Sequence, residues 1–560
     1  MKLYFSFFLL LVFYISSCSS NQRVGLKDHL KKSFSENNIK KLNTNAIDNW
    51  QFKDVFKDSI PGISLFKIGA KDLASKKKEI VIAVIDMAIQ INHEALRNNI
   101  WKNLDEIPNN KKDDDNNGYV DDINGWNFLG NKNGTSTEFV NYEYTRIINK
   151  YSNIFENSHE EKLKGEEKDL YKTYLKAKKK YNERNQYAQE RFENDSVVYD
   201  YYIVLQKKID SIFSNKEFNR PQLDSILQIH KGTEPFEMYI QDFMNMEEYG
   251  IKLSDLEEER FKSQERLKKL LNISFNDREL IGDNEDNLAD SNYGNSVVDN
   301  NTIRMDHGTS VAGVISGVEK ALNFDDDSNY LKIMPVVISG YGDENDKDLA
   351  LAIYYAVDNG ASIINISSGK SFSLHENWIK DAIKYAEKKD VLIIHSAGND
   401  NLNLDNPEAK TYPDDASNNG KEFSYNFLTV GASSYKIEQL KLSSSNYGKE
   451  SVDIFAPGEN IQTADSQNGK YKYVSGTSFA AALVSGVSGL LRSYYPNLSA
   501  KQIKEIIMSS IMHYNGLIEV ENSTKEVVKL SFDQLSKSGG ILNFEKAFLQ
   551  AQLLSQKKLN

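Results

Sequence analysis

A single cysteine, Cys18, stands in 560 residues, so no internal disulfide can form and the body of the protein must fold on its core alone. Positive charge is also scarce: 68 Lys and Arg face 80 Asp and Glu, giving a formal charge of −12, and no basic face emerges. That argues against nucleic acid as a partner, because binding phosphates requires such a face. The apolar stretch at the start, Leu3 to Ile15, is too short to span a bilayer comfortably. Preceded by Lys2 and followed by small residues, it has the layout of an export signal, residues 1–17. The remaining composition, 40% hydrophobic and 26% charged overall, is ordinary for a globular protein, and the length allows two or three domains' worth of core.

The export signal ends in Ile15-Ser16-Ser17-Cys18. This resembles the lipobox of bacterial lipoproteins, which implies cleavage before Cys18, lipidation of its thiol, membrane anchoring through that lipid and a place in the bacterial cell envelope. Residues 18–72 then read as a polar lead-in with no strong period and an IPGIS turn at 60–64, short for an independent domain.

From residue 79 the pattern changes. EIVIAVID (79–86), LKIMPVVI (331–338), ASIINIS (361–367), VLIIH (391–395), NFLTVGA (426–432) and VDIFA (452–456) read as buried strands. Between them, DLALAIYYAVDNG (348–360) and ENWIKDAIKYAEKKD (376–390) read as amphipathic helices, and Ser499 with Gln502 forms a capping box for another. The alternation predicts an α/β fold: three layers, α/β/α, with a mostly parallel sheet.

One block interrupts it. Residues 138–295 carry little strand pattern but much Lys, Glu, Asn and Tyr, with Leu170, Tyr174, Ala177 and Tyr181 at helical spacing. We expect a helical insertion with exposed charged faces, KAKKKYNER (176–184) being one, and a candidate surface for a protein partner. The expected α/β domain is therefore split into 73–137 and 296–552.

Four polar residues sit where chemistry gathers in such a sheet, at strand ends and helix starts. Asp86 ends the first strand, His307 opens DHGTSVAGVISG (306–317), Asn399 follows a strand in HSAGND (395–400), and Ser478 lies in GTSFAAALVSG (476–486). Each alone has a plain structural reading: a cap, a core histidine, a turn asparagine, and for Ser478 the N-cap of a buried helix. Together they supply an orienting carboxylate, a general base, an oxyanion donor and a hydroxyl nucleophile, the set that acyl transfer needs.

These four blocks, in this order, resemble the subtilisin-like serine peptidases over about residues 79–128 and 300–550. The resemblance implies a catalytic triad of Asp86, His307 and Ser478, an oxyanion hole at Asn399, and an endopeptidase acting through an acyl-enzyme. Polypeptide substrates would add as a strand beside INISSGK (364–370) and ISGYG (338–342), with Ser367, Ser368, Gly369, Ser396, Ala397 and Gly398 as substrate-binding residues. Three departures from the family pattern bear on activity: Met87-Ala88 after the aspartate, Ser310 closing the histidine block, and Phe479 with Ala482-Leu483 after the serine. A glycine at 88 would take positive φ more cheaply than alanine, so the turn after Asp86 is expected to shift.

No cofactor is required for this chemistry. KDDDNNGYVDD (112–122) nevertheless spaces Asp113, Asp115, Asn117 and Asp121 as the first nine places of a calcium loop, with Asn124 and not glutamate at the twelfth. It is a candidate structural calcium site or a polar turn. Two readings of a different class stay open: an inactive subtilase-fold lipoprotein that binds peptides or partners through the same cleft, and an adhesive lipoprotein acting through the insertion.

Overall fold

Ile80 to Asp86 are all buried except Val81, which is half-buried, as a strand covered on both faces requires. The structure, a computed structural model, describes residues 33–34, 48–69, 77–213, 218–322, 329–417, 421–467, 469–521 and 526–559. The signal segment 1–17, Cys18 and much of the lead-in lie outside the described residues.

Ten strands form the main sheet: β1 (Ser33–Phe34), β2 (Ile80–Asp86), β3 (Trp126–Asn127), β4 (Leu331–Val337), β5 (Ile363–Ile366), β6 (Leu392–Ser396), β7 (Phe427–Ser433), β8 (Ile454–Pro457), β9 (Ile511–Tyr514) and β10 (Ile541–Leu542). Their order is β1-β9-β10-β8-β7-β6-β5-β2-β4-β3, and every pairing is parallel except β9 with β10. Two hairpins, 461–474 and 517–531, stand outside it. The six strands expected from the apolar runs are all present, as are the helices between them.

Helices α1 (His307–Leu322) and α4 (Thr477–Tyr494) pack together against one face, with α5 (Ala500–Ser509) and α6 (Phe544–Leu559) in the same core. Helices α2 (Asp346–Asp358) and α3 (Glu376–Lys388) pack on each other and on the other face. The result is a three-layer α/β/α fold with a mostly parallel sheet. Ser499 caps α5 with its predicted box: its side chain accepts from the Gln502 N–H, and the Gln502 side chain accepts from the Ser499 N–H. The small residues of α4 have a packing reason, since a Cβ on Gly486 would stand 2.7 Å from Val318 Cγ2 on α1.

Two compact units divide the chain: residues 1–138, 278–340 and 344–560, and residues 139–277 with 341–343. Within the second unit the helices Glu143–Phe155, Gly165–Phe213, Arg220–Ile229, Phe236–Glu248 and Leu253–Glu265 carry the chain, and Tyr202, Leu205, Ile209, Phe243 and Met244 form part of a core of their own. Tyr174 and Ala177 are buried as their spacing suggests, and the charged run 176–184 is largely solvated.

Both boundaries differ from the sequence reading. The helical unit ends at Asp277 and not at 295, because Arg278 joins Asp283 and Asp348 in a buried ion network and Tyr293 donates to Asp348. The lead-in is also no separate segment where it is described. Trp50, Phe52, Ile60, Ile63 and Leu65 belong to the same core as α1 and α4. Trp50, Phe52 and Leu65 occupy three-residue 3-10 turns, Trp50–Phe52 and Leu65–Lys67, too short to leave a period to read.

Candidate active site

The carboxyl ends of β2, β5 and β6 converge with the starts of α1 and α4. Asp86, 1% exposed, closes β2 and accepts from the Met87 N–H at 2.7 Å. His307 is the first residue of α1, and its Nδ1 lies 2.7 Å from Asp86 Oδ1. Burial opposes charge on the imidazole, but the Asp86 carboxylate outweighs it and holds His307 above the usual histidine range; Asp306 adds to the rise and Lys472 opposes it. The departure at Met87-Ala88 does not disturb this contact. Neither residue has positive φ, so the turn has no need of glycine at 88. What the turn does need is Gly308, since a Cβ there would stand 2.2 Å from the Met87 carbonyl oxygen.

Ser478 is not an N-cap. The cap of α4 is Gly476, and Ser478 is the second helical residue, 7% exposed. Its Oγ donates to the Ser367 carbonyl at 3.0 Å, while Ser367 Oγ donates to the Ser478 carbonyl at 3.0 Å. A buried chain backs this exchange: Asn365 Nδ2 donates to Ser367 Oγ at 2.8 Å and Ser485 Oγ donates to Asn365 Oδ1 at 2.9 Å. The Phe479 ring stands 5.6 Å from the His307 ring. Ala482 and Leu483 are fully buried within an uninterrupted α4, and Ser310 is buried with its hydroxyl donating to the Asp306 carbonyl at 3.2 Å.

Asn399 is oriented by Thr477, whose N–H and hydroxyl both end on its Oδ1, at 2.9 and 3.2 Å. The amide nitrogen is thereby left as the outward donor. Thr477 Oγ1 also accepts from the Gly398 N–H at 3.1 Å, so one threonine ties the 396–399 segment to the helix carrying Ser478.

Of the expected substrate-binding residues, Ser367 and Gly398 touch the Ser478 helix directly, Ser396 lies within β6, and Ala397 gives its N–H to the Val430 carbonyl. At Gly369 a Cβ would stand 3.1 Å from Thr411 Cγ2 and 3.5 Å from His395 Cε1. Lys370 next to it already exchanges both backbone hydrogen bonds with Tyr412, so that end of the expected docking strand is paired within the chain. His395 itself is buried and held down to about 4 by desolvation, against a hydrogen bond to the Ile366 carbonyl.

The calcium candidates separate. Oxygens of Asp113 and Asp115 lie within 4.8 Å of one another and of Glu106, a buried residue that the spacing argument did not find. Oxygen-only donors suit a hard divalent cation. Asp121 instead accepts the N–H groups of Asn110 and Lys111, and Asn117 donates from Nδ2 to Asp115 and Asp122. Glu106 had no local signal: it lies outside the spaced acidic loop and meets it only in the fold, accepting from the N–H groups of Asp114, Asp115 and Asp121.

Comparison with known proteins gives the family: residues 77–535 match the subtilase family, and the chain belongs to it. Fervidolysin of Fervidobacterium pennivorans is 26% identical over 282 residues, covering 47% of this chain and 38% of that protein. The cell wall-associated protease of Bacillus subtilis (strain 168) is 30% identical over 223 residues, 39% of this chain and 23% of that protein. The thermophilic serine proteinase of Bacillus sp. (strain AK1) is 34% identical over 208 residues, 36% of this chain and 46% of that protein. The chain thus spans less than half the length of each of these relatives. Among the described residues no helix is long and apolar enough to cross a membrane.

Proposed function

We propose that the protein is a serine endopeptidase that hydrolyses peptide bonds through an acyl-enzyme. The observation that carries this reading is the 2.7 Å contact between His307 Nδ1 and Asp86 Oδ1, with Ser478 and the outward amide of Asn399 gathered at the same strand ends. Asp86 fixes the imidazole tautomer, so that Nε2 is free to take the Ser478 proton as Oγ attacks the scissile carbonyl. Asp86 also stabilises the imidazolium that forms. Asn399 Nδ2 donates to the oxyanion, and His307 returns the proton to the leaving amine. Water then repeats the sequence on the acyl-enzyme. Attack requires Ser478 Oγ to turn from the Ser367 carbonyl toward His307.

That same bond to Ser367 favours a second reading, a peptide-binding scaffold in which the serine stays turned away. Hydrolysis of an unfolded protein by wild type and by Ser478→Ala separates the two. We further propose export and anchoring through lipid on Cys18, a reading in line with a relative named as cell wall-associated. Cys18→Ser should then end labelling by a fatty-acid analogue.

A further inference from the structure

Lysine 441 is 4% exposed and forms no ion pair with any described carboxylate. Its Nζ instead faces four oxygens: Asn401 Oδ1 at 2.8 Å and the carbonyls of Leu442, Ser443 and Ser445 at 3.0, 3.1 and 2.8 Å. Four such oxygens carry partial negative charge and repel one another unless a cation stands among them, which is how carbonyl groups replace the hydration shell of a bound ion. Burial pushes the ammonium down to about 7, whereas hydrogen bonds made by the charged form favour keeping the proton. A neutral side chain of the same length would leave three backbone carbonyls and an amide oxygen facing one point.

The cage joins two loops. Asn401 Oδ1 and the carbonyls of Leu442, Ser443 and Ser445 come together at Nζ, and beside it the same two stretches are laced by hydrogen bonds. Asn401 N–H donates to the Ser444 carbonyl at 2.8 Å, and Asn446 N–H to the Gly398 carbonyl at 2.9 Å. Asn446 Oδ1 accepts from the N–H groups of Asp400 and Leu402 at 3.1 and 2.8 Å, and its Nδ2 donates to the Ala397 carbonyl at 2.8 Å. Asn446 therefore grips residues 397, 398, 400 and 402, on both sides of Asn399. Thr477 holds the Asn399 side chain, but the backbone that carries it is held by the 441–446 loop.

We propose that Lys441 is a tethered cation filling a four-oxygen site and that it is a positioning residue for the Asn399 amide. The proposal rests on the reading of Asn399 as the oxyanion donor. Without the ammonium the carbonyls of the 442–445 loop turn apart, Asn446 moves with them, and the donor leaves the place where the oxyanion forms. The chemistry that occupies the site is a compact monovalent ammonium, which a planar guanidinium does not reproduce.

The test compares turnover per active site, with sites counted by fluorophosphonate titration, in wild type, Asn399→Ala, Lys441→Met and the double variant. Asn399→Ala should lower kcat by about 10²- to 10³-fold, the usual effect of removing an oxyanion donor. Lys441→Met should lower kcat by roughly 10- to 100-fold with KM unchanged, the scale of a displaced group, and should cost nothing further on the Asn399→Ala background. In Lys441→Ala, n-propylammonium should restore kcat and n-propanol should not. If Asn399→Ala keeps full kcat, the oxyanion reading is wrong and the proposal goes with it. If Asn399→Ala loses kcat while Lys441→Met loses only melting temperature, the oxyanion reading stands and the proposal alone is overturned. Should Lys441→Met not fold, Lys441→Ala prepared in n-propylammonium decides: loss of kcat on removing the amine with the fold retained supports it, and loss of both together overturns it.

Discussion

Ser367 and Ser478 exchange hydrogen bonds, each hydroxyl ending on the other's carbonyl at 3.0 Å. The contact fixes the first turn of α4 against the end of β5, and it also sets the starting position of the proposed nucleophile. Ser367→Ala removes the hydroxyl that holds the Ser478 carbonyl but leaves the carbonyl to which Ser478 donates. With a net worth of about 1 kcal/mol for one such bond, kcat should fall about fivefold. Turnover per labelled site measures this. An unchanged kcat would mean that the helix dipole and Thr477 hold Ser478 without help.

The pH profile follows from the raised pKa of His307. The base must be neutral to accept the serine proton, so the acid limb of kcat/KM should lie above the unperturbed histidine value of about 6.5. Asp86→Asn removes the charge that holds the proton, so any residual activity should show that limb moved to lower pH. By linkage, the stability that this proton contributes is fully present below the unfolded pKa and is lost as pH rises through the folded one. Melting temperature followed across that window should show the loss in wild type and not in Asp86→Asn. A limb at the same pH in both proteins would assign it to another group.

Gly308 and Met87 give a sharper geometric test. Because a Cβ at 308 would stand 2.2 Å from the Met87 oxygen, Gly308→Ala must push α1 and the turn after Asp86 apart. The expected cost is about 1–3 kcal/mol of stability, with loss of activity beyond what the melting shift explains. Thermal unfolding and turnover on the same samples check it, and wild-type values for both would show that the turn yields freely.

The strands were legible because runs such as Ile80–Asp86 and Phe427–Ser433 are buried on both faces, and Ser499 with Gln502 marked a helix start by local chemistry. Asp86, His307, Asn399 and Ser478 could be singled out because strand ends and small-residue helix starts leave their own mark. Trp50 and Leu65 could not be placed, since 3-10 turns of three residues carry no period. The hairpin 517–531 went unread for a different reason: its first strand alternates buried and exposed positions over only five residues. Arg278, Glu106 and Lys441 are charged residues whose burial depends on partners distant in the chain or on carbonyls aimed by the fold, and a sequence pattern contains neither.

For the acidic loop the expectation is metal dependence of stability. If Glu106, Asp113 and Asp115 hold calcium, chelation should lower the melting temperature of wild type but not of Asp115→Ala or Glu106→Gln. An ion at a hundred times its Kd would contribute about 2.7 kcal/mol by mass action. Equal chelator shifts in all three proteins would place any stabilising ion elsewhere.

The central claim is that Ser478 is a nucleophile activated by His307 and Asp86, and covalent labelling tests it most directly. Wild type treated with a fluorophosphonate should carry one adduct, located on Ser478 by peptide mass. Ser478→Ala should carry none, and His307→Ala should react at least a thousandfold more slowly, in keeping with loss of the general base at about 10⁶ in turnover for this class of site. Folded wild-type protein that takes no label, or that is labelled equally when Ser478 is replaced, would contradict the account and leave the scaffold reading in its place.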